Sequence, residues 1–408
     1  MPRRVLFLTQ WFEPEPVMKG LQFAQGLVAA GYEVEVATGF PNYPTGKLAP
    51  GYRLKAYAAE TMENIRVHRL FLVPNHDSSS LGRAANYLSF FVSALVFCLA
   101  RGGRFDAIYV YHPPITVGLA AALSGLFTRT PFLLDVQDLW PDSVTASGMG
   151  GASRLGGILG SVCGFVYRRA ALVVGQSRAM TERLIERGVS RDKAATIFNW
   201  ADEYAARARG GFDVKALGFD GRFNIVFGGN MGRAQDLETV VRAAHLAAGE
   251  VPSIQLTLVG DGLERQRLAE VIAELGAANV QLVPAVPRTQ IGDIFAAADV
   301  LILHLLDDPL FAITIPSKTQ FYMAMGRPII AGVRGEAAEM VTGSGAGLVV
   351  PPQDVAAMAA AMVRMARLPP AQIARMGRCA RETYDARFSY AAAMSATALC
   401  LQRAEVSK

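Results

Sequence analysis

Short runs rich in Val, Ile, Leu and Phe alternate with longer stretches of helical apolar spacing along most of this chain, the pattern of parallel strands covered by helices on both faces. In the first half the runs that read as buried strands are Val5–Thr9, Val34–Thr38, Ile108–Tyr111, Phe132–Asp135, Leu172–Gly175 and Ala195–Phe198. A second series starts at Phe223–Phe227 and continues through Gln255–Val259, Val280–Val283, Val300–His304, Pro328–Ala331 and Gly347–Val350. Residues 201–221, which include Arg207-Ala208-Arg209-Gly210-Gly211, are polar and aperiodic and read as a linker. After Pro351 the pattern is helical to the end, with Phe388-Ser389-Tyr390 opening an Ala-rich last helix. The sequence therefore predicts an α/β protein with two Rossmann-like domains, over residues 1–200 and 222–385. The helix over residues 386–408 either closes the second domain or crosses back to the first.

Composition supports two domains. A chain of 408 residues with 51% hydrophobic content can fill more than one core, and single cores stop growing near roughly 250–300 residues. Open parallel sheets bind ligands beyond the carboxyl ends of their strands, so two facing sheets would set a donor and an acceptor in one deep interdomain cleft. That layout suits a transferase.

Charge is uneven: residues 1–200 carry 20 Lys/Arg against 14 Asp/Glu, a net of +6, and residues 201–408 carry 20 against 21, a net of −1. The first half is thus the one expected to face something anionic. With 18% charged residues and a mean hydropathy of +0.25, the chain implies extensive burial or contact with lipid. The apolar run Tyr87–Ala100, broken by Ser89 and Ser93 and flanked by Arg83, Arg101 and Arg104, is shorter than the roughly 20 residues that span a bilayer. It reads either as a buried domain helix or as an interfacial helix on an anionic leaflet. Cys98, Cys163, Cys379 and Cys400 match no metal spacing and read as reduced thiols of a cytoplasmic protein. The apolar start Val5–Thr9 is too short for a signal peptide's core. No nucleic-acid partner is expected.

Candidate chemistry begins at Phe227-Gly228-Gly229-Asn230-Met231-Gly232-Arg233, a glycine turn between a predicted strand and the helix Leu237–Ala248. Glycines let backbone approach a ligand, and a helix start offers free amides and a positive dipole to phosphate; a tight turn alone would look the same. Val259-Gly260-Asp261-Gly262-Leu263-Glu264 repeats the arrangement one unit later, and Ile315-Pro316-Ser317-Lys318-Thr319 heads a helix ending before Gly326-Arg327-Pro328. Lys318 beside helix-start amides can neutralise a diphosphate, or it is a solvated Lys after a Ser cap.

In this order and spacing, Gly229 to Ala244, Val259 to Leu268 and Pro316 to Ala331 resemble the donor domain of glycosyltransferase family 4. In the first half, Gly39-Phe40-Pro41-Asn42-Tyr43-Pro44-Thr45-Gly46, Val136-Gln137-Asp138-Leu139-Trp140-Pro141-Asp142-Ser143 and Phe198-Asn199-Trp200-Ala201-Asp202-Glu203 resemble WbuB-type O-antigen fucosamine transferases. The resemblance implies the GT-B fold, a nucleotide-sugar donor (UDP-linked) on the C-terminal domain, and retaining, metal-independent transfer to a polyprenyl-diphosphate-linked acceptor in surface-polysaccharide synthesis. No other cofactor is implied, and the five histidines form no ligand-spaced cluster with carboxylates.

Mapped onto this chain, the donor set is Gly229, Asn230, Arg233, Gln235, Asp261, Gly262, Ser317, Lys318 and Thr319, with Lys19 and Gly20 meeting the diphosphate from the early loop Glu13–Gly20. Catalytic candidates are Gln137, at the family's His, and Asp138, which either orients the acceptor hydroxyl or caps the turn before Pro141. The family's phosphate-binding Arg and Lys fall on Asn230 and Gln235, and its two glutamates fall on Ile313 and Phe321. Charge must then come from Arg233, Lys318 or helix dipoles. The alternatives to a transferase are a GT-B epimerase or phosphorylase, or a catalytically inactive sugar-nucleotide-binding protein.

Overall fold

The computed structural model describes residues 2–75, 80–140, 153–207 and 210–406. The chain forms two compact units, Met1–Ile197 with Met394–Lys408, and Phe198–Ala393.

The first unit contains, in order, β1 (Arg3–Leu8), α1 (Leu21–Ala29), β2 (Tyr32–Gly39), β3 (Tyr57–Met62), β4 (Ile65–Leu70), α2 (Ser80–Arg101), β5 (Ala107–His112), α3 (Ile115–Thr128), β6 (Phe132–Val136), α4 (Ser153–Arg169), β7 (Leu172–Gly175), α5 (Arg178–Glu186) and β8 (Ala194–Thr196). Among the described residues these strands form an eight-stranded sheet ordered β3-β4-β2-β1-β5-β6-β7-β8. It is parallel except for the β3–β4 hairpin at its edge. Val5 pairs in register with Val34 on one side and Ala107 on the other, and Val5 to Leu8 are wholly buried, so both faces are covered. The strand order reverses at β1 and β5, whose carboxyl ends are where such sheets take ligands.

The β3–β4 hairpin was not expected. Its turn, Glu63-Asn64, adopts positive φ at both residues without a glycine, and β4 buries polar side chains. His68 bonds to Glu35 at 2.7 Å and Arg69 pairs with Glu60 at 2.6 Å, so the apolar alternation of Ile65 and Val67 breaks off at buried polar positions.

The second unit contains α6 (Glu203–Arg207), β9 (Phe223–Gly228), α7 (Leu237–Glu250), β10 (Ile254–Val259), α8 (Arg265–Leu275), β11 (Val280–Val283), α9 (Ile291–Ala297), β12 (Val300–His304), α10 (Pro309–Ala312), α11 (Ser317–Ala324), β13 (Ile329–Gly332), α12 (Glu336–Gly343), β14 (Gly347–Val350), α13 (Val355–Arg367) and α14 (Pro370–Thr383). Among the described residues its sheet is six-stranded and parallel, ordered β11-β10-β9-β12-β13-β14, with the reversal at β9 and β12. Alternate strand residues feed two cores: Val226, Leu301, Leu303 and Ile329 on one face, Ile225, Phe227, Val300 and Ile302 on the other.

One expectation changes, and one of two alternatives is taken. Within residues 201–221, α6 and the buried Ala201, Ala205, Ala206, Leu217 and Phe219 make this stretch part of the second unit's core rather than a free linker; Ala208 and Arg209 lie outside the described residues. The last helix, α15 (Tyr390–Val406), begins in the second unit and belongs to the first from Met394 on. There the Tyr32 hydroxyl donates to the Ala398 carbonyl at 3.4 Å and Arg403 to the Asp192 carbonyl at 2.8 Å.

The run Tyr87–Ala100 is the body of α2, which is longer than the apolar run alone suggests. By length and composition only, Leu81–Arg104 is apolar enough to cross a membrane. One face is committed to the fold, with Asn86, Phe90, Ala94, Phe97 and Cys98 buried; on the other, Leu88, Val92, Val96 and Leu99 stand exposed at helical spacing.

Candidate functional site

In the second unit, β9 and β10 end side by side in glycine turns. The Gly229 N–H donates to the Val259 carbonyl at 2.9 Å, and the Met231 N–H to the Asp261 carbonyl at 2.8 Å. Gly229 and Gly260 have φ of +126° and +144°, and a Cβ on Gly260 would collide with the Gly229 carbonyl oxygen. Only glycine lets the two turns close-pack here.

Lys318, in the first turn of α11, lies across this turn. A Cβ on Gly229 would sit 2.8 Å from its Cε and 3.1 Å from its Nζ, and the ammonium lies 5.1 Å from the Phe227 ring centroid. Among the described residues no carboxylate pairs with it. Burial alone pushes its pKa down. Pro316 stands at the helix N-cap with no side-chain cap, while Gly229 and Asn230 are exposed. An unpaired, part-buried ammonium, open backbone and an uncapped helix start thus converge at the end of β9, the combination a diphosphate requires.

The other predicted donor residues separate into surface and support. Asn230, Arg233, Asp261 and Ser317 are exposed. Arg233 reaches Glu264 at 3.3 Å, and Asp261 Oδ1 accepts from the Gly262 N–H at 2.8 Å. Gln235 is a support: its Oε1 accepts from the Gly232 N–H at 3.0 Å and closes the turn. Thr319 does not face the turn's open side; it is fully buried, and its hydroxyl oxygen has no partner among the described residues.

His304, at the end of β12, was not singled out by sequence. Its Nε2 accepts from the Gln353 N–H at 3.0 Å, which leaves Nδ1 to donate to the Gln235 carbonyl at 2.9 Å. Burial lowers its pKa, so a neutral imidazole ties β12 to the turn that carries Gln235. At the positions of the family's glutamates, Ile313 is part-buried and Phe321 packs edge-on against Phe295 at 5.8 Å, so core packing occupies the second. Asp307 pairs with Arg334 at 2.8 Å, and Asp308 caps α10 by accepting from the Leu310 N–H at 2.7 Å.

In the first unit, the structure corrects the reading of Lys19. The side chain is fully buried and ion-paired with Asp135, itself fully buried at the end of β6. Asp135 also accepts from the Tyr109 hydroxyl at 2.6 Å and from Gln137 Nε2 at 2.7 Å. Lys19 is therefore committed to a network that holds Gln137 in place and has no surface to offer a donor. Gly20 is buried too: Glu13 occupies the space beside it, and Glu13 Oε2 accepts from the Leu21 N–H at 2.7 Å at the start of α1. The Glu13 carboxyl is held above its ordinary pKa by burial, against the lowering effect of that bond. The loop's glutamate fills the helix start that a phosphate would use.

Gln137 is nearly buried, and its carbonyl accepts from Gln176 Nε2 at 2.6 Å. Asp138 is exposed, and its carboxylate has no hydrogen-bond partner among the described residues; the turn is closed by its backbone carbonyl, which accepts from the Trp140 N–H at 3.1 Å. The carboxylate does not cap the turn. Crowding on its protein side raises its pKa even though its outer side is open to solvent. Pro141, Asp142 and Ser143 lie outside the described residues.

Comparison with known proteins fits both halves. Residues 21–200 match the Glycosyl transferase 4-like domain, and residues 222–367 match Glycosyl transferases group 1. The chain is 29% identical over 278 residues to a putative colanic acid biosynthesis glycosyl transferase, WcaI, of Escherichia coli, covering 64% of this chain and 66% of that protein. It is 23% identical over 329 residues to a probable glycosyltransferase, WbjE, of Pseudomonas aeruginosa, covering 79% and 80%. Among solved structures, HepE of Anabaena in complex with UDP aligns over 98% of this chain and 99% of its own, with TM-score 0.70 at 18% identity. Sucrose-phosphate synthase of Thermosynechococcus elongatus aligns over 100% of both chains, with TM-score 0.68 at 20% identity. With two Rossmann-like units and a glycosyltransferase domain matched in each, the chain is a glycosyltransferase of the family 4, GT-B type.

Proposed function

We propose that the chain transfers a sugar from a UDP-sugar to a polyprenyl-diphosphate-linked glycan, with retention of configuration and without a metal, in the assembly of a surface polysaccharide such as O-antigen. One observation carries the reading: the unpaired ammonium of Lys318 beside Gly229 and the open start of α11. HepE was solved with UDP and with UDP-glucose, and the E. coli relative is named for colanic acid biosynthesis, which favours this donor and this class of product. The resemblance to fucosamine transferases favours an N-acetylated deoxyhexosamine as the sugar moved.

In this reading the acceptor hydroxyl bonds to the sugar's anomeric carbon, the bond from that carbon to the diphosphate breaks, UDP departs, and the hydroxyl proton passes to the leaving phosphate oxygen. Lys318 offsets the charge that builds on the diphosphate, Asp138 orients the acceptor hydroxyl, and Gln137 is a positioning residue. Among the described residues no three His, Cys, Asp or Glu side chains converge as a metal site would need.

The decisive experiment incubates the protein with radiolabelled UDP-N-acetylhexosamines and a polyprenyl-diphosphate-linked saccharide in EDTA. Label entering the lipid fraction supports the proposal. Thermal stabilisation by UDP with no transfer to any lipid-linked acceptor would instead favour the inactive binding protein.

The proposal also puts the chain on the inner face of the cytoplasmic membrane. The apolar stripe Leu88, Val92, Val96 and Leu99 on α2 supports this, together with Leu126 and Phe127 exposed at the end of α3. The flanking arginines contribute less than their positions in sequence suggest. Arg101 lies over the Phe97 and Tyr57 rings at 5.7 and 5.9 Å, and Arg83 is part-buried; Arg104 alone of the three is exposed. Apolar insertion, more than charge, drives the docking proposed here.

A further inference from the structure

At the carboxyl end of the first unit's sheet, four rings form a row. Trp11 follows β1 and lies 5.3 Å from Tyr43 and 6.4 Å from Tyr87, and Tyr87 of α2 lies 6.2 Å from Trp140, all between ring centroids. Buried hydrogen bonds, rather than ring packing alone, fix the row. Gln10 Nε2 donates to Asn86 Oδ1 at 2.5 Å, and Asn86 Nδ2 donates to Asn42 Oδ1 at 3.3 Å and to the Val73 carbonyl at 2.8 Å. Glu15 Oε1 accepts from the backbone N–H groups of Asn42 and Tyr43, each at 2.7 Å. Each neighbour of a ring is thereby pinned to its strand end.

The row is not a closed core. Trp11, Tyr43 and Tyr87 are only half-buried, and the exposed Asp138 stands two residues before Trp140. Behind the row, His112 is fully buried 6.1 Å from the Trp140 ring, with neither ring nitrogen hydrogen-bonded among the described residues. Arg83 precedes Tyr87 by four residues, which puts both on one face of α2. Its Nε is buried without a hydrogen bond, and no carboxylate of the described residues pairs with it. Unsatisfied polar groups beside half-open aromatic faces are costly in a plain core and useful where a ligand completes them.

We propose that the half-open rings of Trp11, Tyr43 and Tyr87, backed by the buried Trp140, stack a sugar ring and that Arg83 binds a phosphate attached to it, so that the acceptor of this unit is a phosphate-linked saccharide. The apolar C–H face of a pyranose meets the rings, and the guanidinium makes charge-assisted bonds to the phosphate oxygens. The inference rests on the reading of this unit as the acceptor unit, and it names the side chains that would hold the acceptor's sugar and phosphate.

The chain has three tryptophans, and Trp11 and Trp140 are two of them. In the full chain carrying Trp200→Phe, tryptophan emission therefore reports on the row alone. Titration with N-acetylglucosamine 1-phosphate is expected to change that emission saturably. Adding Arg83→Gln should weaken the phosphorylated sugar about tenfold or more and leave N-acetylglucosamine itself unaffected, whereas Tyr43→Ala should weaken both. Inorganic phosphate should compete with the sugar phosphate without changing emission. A polyprenyl-diphosphate-linked N-acetylglucosamine in detergent micelles, compared with the free sugar phosphate, tells a lipid-linked source from a soluble one: both must depend on Arg83, and the natural source binds more tightly. The proposal is overturned if none of these sugars changes emission while UDP still stabilises the same protein, or if both substitutions leave the titrations unchanged. Such a result leaves the transferase reading standing, whereas intact sugar-phosphate binding with no label transfer would remove that reading and keep the platform.

Discussion

Replacing Lys318 by Met separates its cost to the fold from its value to the donor. In the unliganded protein its ammonium is part-buried without a counter-charge, 5.1 Å from the Phe227 ring, and burial lowers its pKa from the ordinary 10.5. The unpaired charge costs stability, and a cation–π contact of about 0.5–2 kcal/mol offsets part of that cost. Lys318→Met, which keeps the stem, should therefore shift unfolding by less than about 1 kcal/mol in either direction. UDP binding should lose the charge-assisted contact, about 1.5–3 kcal/mol, and Kd should rise by about 10- to 150-fold. The pH dependence has a definite sign. A folded-state pKa below the unfolded value means the burial cost is present in full while both states are protonated, and fades as pH rises through the depressed pKa towards 10.5. UDP needs the ammonium form, so the wild-type affinity should weaken as pH rises through the depressed pKa, below the ordinary 10.5, with proton uptake on binding there, while the Met variant stays flat. Calorimetry in buffers of differing ionisation enthalpy reads both effects. An unchanged Kd in a folded Lys318→Met protein, or identical pH profiles, would refute the reasoning.

Gly260→Ala should prevent the two glycine turns from closing, because its Cβ meets the Gly229 carbonyl in a backbone region that L-residues avoid; a loss of about 1–3 kcal/mol in denaturant unfolding, with weakened UDP binding, is expected. Lys19→Met should cost about 3–5 kcal/mol by leaving Asp135 buried and unpaired; a folded variant of wild-type stability with selectively lost UDP affinity would restore Lys19 to the donor site. Val92→Glu with Val96→Glu, at positions 56% and 60% exposed, should leave unfolding within about 1 kcal/mol of wild type yet abolish co-sedimentation with liposomes; unchanged pelleting would end the case for α2 as the docking face.

Much of the fold was legible because buried parallel strands are written as continuous apolar runs: Leu172–Gly175, Val280–Val283, Val300–His304 and Gly347–Val350 appear at the predicted residues. The β3–β4 hairpin escaped because the short alternation of Ile65 and Val67 runs into the buried polar His68 and Arg69, whose partners Glu35 and Glu60 do not show in the local pattern. Residues 201–221 misled for a similar reason, since Ala201, Leu217 and Phe219 are isolated apolar positions whose burial depends on the finished sheet. At the site, glycine turns and the helix at Ser317 could be read, because their signal is local. What each charged side chain meets could not. Lys19 and Lys318 both follow strand ends and look alike in sequence, yet one has Asp135 beneath it and the other has none.

That contrast bears on how the chain manages a diphosphate without the family's Arg and Lys at Asn230 and Gln235. Gln235 is not an idle replacement: it closes the turn through Gly232 while its carbonyl receives a hydrogen bond from the neutral His304. The backbone at Gly229 and Asn230 is thereby held open and rigid, and rigid amides aimed at an anion cost little to reorganise on binding. A single ammonium then suffices if it acts from a poorly solvated position, because the attraction between opposite charges grows as the surrounding dielectric falls. Lys318 has such a position, and its depressed pKa is the sign of it. The same burial that penalises the charge in the free protein strengthens its hold on a bound diphosphate. Exposed Arg233, already near Glu264, has neither property. Of the two cations available to replace the missing pair, the buried one is therefore the one whose removal the donor should feel.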